Sequence, residues 1–196
     1  MTSYGPTTAL IVVDVQNDFA DPAGGLSVAG GTEVIPVINA EVEAALAAGG
    51  RVFYTQDWHP ESTPHFKKDG GIWPVHCVAD TWGAELHPDL HVAGPVVRKG
   101  VNGEDGYSGF TTRDPESGET QLTELSELLE QAGVKRLVVV GLATDYCVLA
   151  TALDARTRDY PTTVLAAGIR AVDLQPGDGE KALAELRLAG AFVDEG

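Results

Sequence analysis

The sequence predicts a three-layer α/β/α fold around a central, mostly parallel sheet, and two patterns carry that expectation. Short β-branched apolar runs alternate with amphipathic, helix-compatible stretches. That order gives a parallel sheet joined by right-handed crossovers. Two of the runs, residues 9–15 (ALIVVDV) and 136–141 (RLVVVG), are apolar at successive positions, as strands covered by helices on both faces require.

Taken in order, strands are expected at 9–15, 51–56, 95–98, 136–141 and 162–166, and residues 191–193 can add a last one. Helices are expected at 32–48, 120–131, 144–159 and 178–189. Gly49, Gly133 and Gly190 follow three of them, at the position where a left-handed residue ends a helix. At 196 residues the chain is read as one domain, 1–196. Residues 57–94 depart from the pattern: Trp73, Trp82 and all five histidines fall there, among many Gly and Pro. A connection of that length is usually functional or disordered, and its aromatic and histidine content argues against disorder.

Thirteen Lys and Arg against 29 Asp and Glu give a net charge of −16. Without clustered cations, neither a phosphate backbone nor an anionic membrane surface is an expected partner. No stretch approaches the ~18 apolar residues of a membrane helix. The polar start, residues 1–4, lacks the basic region of a targeting signal. Cys77 and Cys147 therefore read as free thiols in a reducing compartment, and the expected location is cytoplasmic. The oligomeric state stays open, a homo-oligomer included.

Ligands of open α/β sheets bind beyond the carboxyl ends of the strands. Asp14, Asp57 and Lys99 end or follow three predicted strands, and Cys147 lies just past the fourth. Cys147 falls in the first turn of a predicted helix, with Thr144 or Asp145 as N-cap. There free amides and the helix dipole favour a thiolate. Asp14 can accept the thiol proton, Lys99 can hold the charges, and the amides of Ala143 and Cys147 can receive an oxyanion. Cys77 reads as a buried structural cysteine. Asp57, His59, His65 and His76 form a set suited to one divalent metal ion (Zn, Fe or Mn), inside a loop insertion at about 57–94. His87 and His91 are expected at the surface. Residues 100–110 (GVNGEDGYSGF) can wall a pocket with Tyr107 and Phe110.

Seven segments carry a resemblance: ALIVVDVQNDF (9–19), the GGLSVAGG that follows, QDWHPESTPHF (56–66), WPVHCV (73–78), GAELHPDL (83–90), RKG with YSGF, and VVVGLATDYCV (138–148). The sequence resembles the nicotinamidase/pyrazinamidase family of the isochorismatase-like cysteine hydrolases, in family order and over nearly the whole chain. The resemblance implies a Rossmann-like topology and a catalytic triad of Asp14, Lys99 and Cys147. It implies Asp57, His59 and His76 as metal ligands, with His65 as a fourth. Phe19, Trp73 and Tyr107 would line a ring pocket together with Leu142 and Ala143, whose shared peptide bond is cis in the family. It also implies deamidation of nicotinamide to nicotinate and ammonia, and of pyrazinamide, through a thioester. A related amidase acting on another small carboxamide or carbamoyl compound and a non-catalytic metal- or ligand-binding module are the alternatives.

Overall fold

A computed structural model describes residues 3–196; the first two residues of the polar start lie outside the described residues. The strands are β1 (Thr8–Val13), β2 (Arg51–Asp57), β3 (Val96–Lys99), β4 (Thr111–Arg113), β5 (Thr120–Leu122), β6 (Arg136–Leu142), β7 (Thr162–Arg170) and β8 (Phe192–Asp194). Six of them form one parallel sheet in the order β3-β2-β1-β6-β7-β8. The helices are α1 (Asn17–Ala20), α2 (Val34–Ala47), α3 (Leu125–Gln131), α4 (Leu149–Thr157) and α5 (Asp178–Leu188).

The unbroken apolar run of β1 is explained by its place between β2 and β6, where every residue is buried. Its side chains alternate between two cores. Leu10 and Val12 pack with Val34, Ile35, Ile38 and Val42 of α2. Ala9, Ile11 and Val13 pack with Leu125 and Leu129 of α3, Ala152 of α4 and Leu186 of α5. Each fully buried Val, Leu or Ile contributes about 1.5–3 kcal/mol of transfer free energy.

Parallel pairing aligns the carboxyl ends. Asp57 sits opposite Lys99, and Val13, just before Asp14, sits opposite Gly141. Gly141 (φ +117°) is required there, because a Cβ would lie 2.1 Å from the Val13 carbonyl oxygen. The predicted helix ends at Gly49, Gly133 and Gly190 are all left-handed (φ +76°, +67° and +81°).

Two expectations about elements need correction. Residues 120–131 are not one helix: Thr120–Leu122 pair antiparallel with Thr111–Arg113, and α3 starts only at Leu125. The Thr123 hydroxyl accepts the Leu125 amide, which ends the strand and opens the helix. Residues 144–159 begin as a π-helical turn over Thr144–Val148 before α4 continues. The loop at 57–94 is ordered by short bridges, including His59 with Val78 and Phe66 with Trp73.

Candidate active site

The three predicted catalytic side chains meet at the carboxyl edge of the sheet. Lys99, fully buried at the end of β3, donates from Nζ to Asp14 Oδ2 at 2.7 Å and to Asp57 Oδ1 at 2.5 Å. It also donates to the Gly106 carbonyl. Cys147 Sγ lies 3.9 Å from the same Nζ, and within 4.8 Å of carboxylate oxygens of both Asp14 and Asp57. Asp14 turns off β1 with φ +48°. Its second oxygen accepts the Thr55 hydroxyl at 2.6 Å. Gln16 fixes the Asp57 backbone from both sides, accepting its N–H and donating to its carbonyl.

The protonation states follow from this crowding. Burial pushes the Asp14 carboxyl up to about 6, although Lys99 pulls it down. Burial works against the Asp57 carboxylate too, but Lys99 and His59 hold it well below the usual range. Burial disfavours the Lys99 ammonium, and Asp14 and Asp57 more than reverse this. Burial raises the Cys147 thiol well above its ordinary value, with Lys99 opposing and Asp14 and Asp57 reinforcing. The direction is opposite to the one expected from the helix start, because burial and two carboxylates together outweigh one ammonium.

The turn carrying Cys147 differs from the expectation in a second way. Neither Thr144 nor Asp145 caps the helix; the N-cap is Ala143, with no side-chain bond. The Asp145 carboxylate instead accepts the amides of Val172 and Asp173, both at 2.9 Å. In a regular α-helix the Cys147 amide would bond to the Ala143 carbonyl. Here the Val148 amide takes that carbonyl, i to i−5. The Tyr146 amide shares that carbonyl, so the π turn leaves the Cys147 N–H without its regular α-helical partner. The Leu142–Ala143 peptide is cis.

Next to this trio lies a three-histidine cluster. One ring nitrogen from each of His59, His65 and His76 lies within 4.8 Å of the others, and all three residues are buried. His65 Nδ1 faces the Asp105 carboxylate at 2.7 Å, and His76 Nδ1 faces the Pro74 carbonyl at 2.8 Å. Both partners only accept, so each neutral ring carries its proton on Nδ1 and keeps a lone pair on Nε2. Burial pushes His76 down to about 4, which keeps it neutral. Both nitrogens of His59 are buried without any partner, and its Nε2 lies 3.7 Å from Asp57 Oδ2. A buried imidazole with no hydrogen bond is costly unless something else occupies its lone pair. The donor set of three imidazoles beside one carboxylate fits a divalent metal ion.

Cys147 of the trio and Asp57, His65 and His76 beside it line one hollow, together with Phe19, Trp73, Tyr107, Ala143 and Tyr146. Trp73 Nε1 donates to the Tyr107 hydroxyl at 2.8 Å, and Tyr146 meets Trp73 edge to face. Leu142, expected in the pocket, is fully buried in the core beneath it, because the strand still alternates faces there. Phe110 is likewise core, packed near Tyr160. His91 is exposed as expected. His87 is not: it is buried, with its amide bonded to Val15 and its Nδ1 accepting from Asp89, because the loop folds back over the strand ends. Cys77 is buried and free. No helix among the described residues is long and apolar enough to cross a membrane.

Sequence reasoning missed Thr55, Gln16, Asp105 and Asp18. The last bonds the Cys77 and Gly25 amides at 2.6 and 2.7 Å and so ties the His76 loop to α1. Such polar residues reveal themselves only by what they touch.

The Isochorismatase domain family matches residues 8–194. Nicotinamidase of Escherichia coli (strain K12) is 37% identical over 206 aligned residues, covering 96% of this chain and 94% of the relative. Pyrazinamidase of Pyrococcus horikoshii, solved in complex with zinc, has a TM-score of 0.86 at 38% identity, covering 97% of this chain and all of that one. PnC1 from L. infantum, solved in complex with nicotinate, has a TM-score of 0.87 at 36% identity, covering 98% and 94%. A match that spans the whole sheet, from β1 to β8, and takes in the cysteine trio and the histidine cluster means that the chain belongs to the isochorismatase family.

Proposed function

We propose that the chain is a metal-containing cysteine amidohydrolase that converts nicotinamide to nicotinate and ammonia, and that also accepts pyrazinamide. The observation that carries this reading is that one aromatic hollow is lined both by Cys147, which stands beside Lys99 and Asp14, and by Asp57, His65 and His76 of the ligand set. Similarity to a nicotinamidase and to a nicotinate-bound structure supports the substrate.

In this reading Asp14 takes the Cys147 proton while Lys99 offsets the two negative charges. The sulfur then forms a bond to the carboxamide carbon, and the carbonyl electron pair moves onto oxygen. The amides of Ala143 and Cys147 receive that oxyanion. Asp14 gives its proton to the nitrogen, the C–N bond breaks, and ammonia leaves a thioester. Asp14 then takes a proton from water as its oxygen attacks the thioester, and Cys147 departs to recover the proton. Phe19 and Trp73 hold the ring between them, and Tyr107 supports Trp73. Asp57, His59, His65 and His76 would hold one divalent ion (Zn, Fe or Mn), which when bound supplies a Lewis-acid position for a ring nitrogen. Zinc in the Pyrococcus horikoshii pyrazinamidase structure and the partnerless nitrogens of His59 support that site.

The same reading takes residues 1–196 as a single cytoplasmic domain with the metal-binding loop at about 57–94. Its partner is the small-molecule substrate, without nucleic acid or membrane. The test is ammonia release from nicotinamide, pyrazinamide and a carbamoyl amino acid by the parent chain and by Cys147→Ala. Release from the two pyridine-type amides, lost in the variant, is the expected result. Release from the carbamoyl compound alone would overturn the substrate.

A further inference from the structure

We infer that Asp105 is a positioning residue for the metal site, holding His65 so that its Nε2 faces the other ligands; this rests on the reading of His65 as a ligand. Asp105 Oδ1 lies 2.7 Å from His65 Nδ1, and both side chains are largely buried (19% and 5% exposed). The carboxylate fixes the tautomer and the ring orientation at once, and makes the opposite nitrogen more basic. His59 has no hydrogen-bonded partner, its nearest carboxylate being Asp57 at 3.7 Å, and His76 has only a carbonyl, so His65 is the one imidazole of the cluster hydrogen-bonded to a carboxylate.

Asp105 is itself held in place. Its amide and carbonyl exchange hydrogen bonds with Arg113 of β4 at 2.8 and 2.9 Å. The next two residues reach the rest of the site. The Gly106 carbonyl accepts from Lys99, and the Tyr107 hydroxyl accepts from Trp73. Gly106 has little room for a side chain, since a Cβ would sit 3.2 Å from Lys99 Cβ and 3.3 Å from Asp57 Oδ1. Three successive residues therefore touch a metal ligand, the lysine and the ring pocket. This register explains why a segment 40 residues after His65 supplies its partner.

The experiment measures Zn²⁺ affinity by competition with a chromophoric chelator, for the purified chain and for Asp105→Ala, Asp105→Asn, His65→Ala and the Asp105→Ala/His65→Ala pair. Asp105→Ala is expected to weaken Zn²⁺ binding roughly 10–100-fold. Asp105→Asn keeps an oxygen that accepts the Nδ1–H, so its loss is expected to be smaller, and it serves as the measurement if the alanine variant does not fold. In the His65→Ala background the loss from Asp105→Ala is expected to vanish, because Asp105 acts through that ring. Zn²⁺ affinity within about twofold of the parent for Asp105→Ala, or an equal loss in both backgrounds, would overturn the inference. Unchanged affinity in His65→Ala would overturn it too, while ammonia release by the parent chain would leave the nicotinamidase reading standing.

Discussion

Thr55→Val tests the acid–base account at the residue that most directly tunes the base. The Thr55 hydroxyl donates to Asp14 Oδ1 at 2.6 Å in a fully buried site. A hydrogen bond to a charged group contributes about 1.5–3 kcal/mol, and the bond to the protonated carboxyl retains about half of that. Losing the hydroxyl therefore disfavours the carboxylate by roughly 0.7–1.5 kcal/mol, or about 0.5–1 pH unit at 1.36 kcal/mol per unit. Asp14 titrates at about 6, and only its carboxylate can take the Cys147 proton. Activity should thus rise with pH through about 6 in the parent chain and through roughly 6.5–7 in the variant. In terms of kcat/KM for nicotinamide, the variant should be about 3–10-fold slower on the acid side and close to the parent on the plateau. An acid limb that stays in place or moves to lower pH would refute the assignment of Asp14 as the base.

Other perturbations probe the ligand cluster and the pocket. Gly100 has φ +74°, and a Cβ there would lie 2.6 Å from two atoms of the His59 ring. Gly100→Ala should cost about 1–3 kcal/mol of stability and lower the metal-to-protein ratio after dialysis; a full metal complement would contradict the placement of His59. Tyr107→Phe removes the acceptor of the buried Trp73 indole N–H. It should cost about 1–3 kcal/mol in thermal unfolding and raise KM more than it lowers kcat. Stripping divalent ions with a chelator should lower kcat/KM at least about tenfold, with recovery on adding back Zn²⁺, Fe²⁺ or Mn²⁺. Activity that persists after the ions are gone would contradict the cluster's role.

The sheet was legible because its signal is local. Strands buried on both faces must be apolar at successive positions, and residues 9–13 and 137–140 are. The carboxyl-end convergence of Asp14, Asp57 and Lys99 followed from topology alone, since parallel strands point their ends to one side. The misreadings arose where long-range contacts decide. Thr120–Leu122 are compatible with a helix but pair with β4. Asp145 looks like a cap, yet its carboxylate bonds two amides 27 and 28 residues away. A helix start, which favours a thiolate, is visible in sequence, whereas burial beside two carboxylates, which pushes the Cys147 thiol up, is not. Asp105 carried no signal of its own, being one acidic residue among 29 Asp and Glu.

The most direct measurement is peptide mapping by mass spectrometry after the chain, turning over nicotinamide, is quenched in acid. A nicotinoyl group is expected on the peptide that carries Cys147, absent when substrate is omitted. Steady ammonia release with no acyl group on that peptide at any quench time, matched by undiminished turnover in Cys147→Ala, would contradict it.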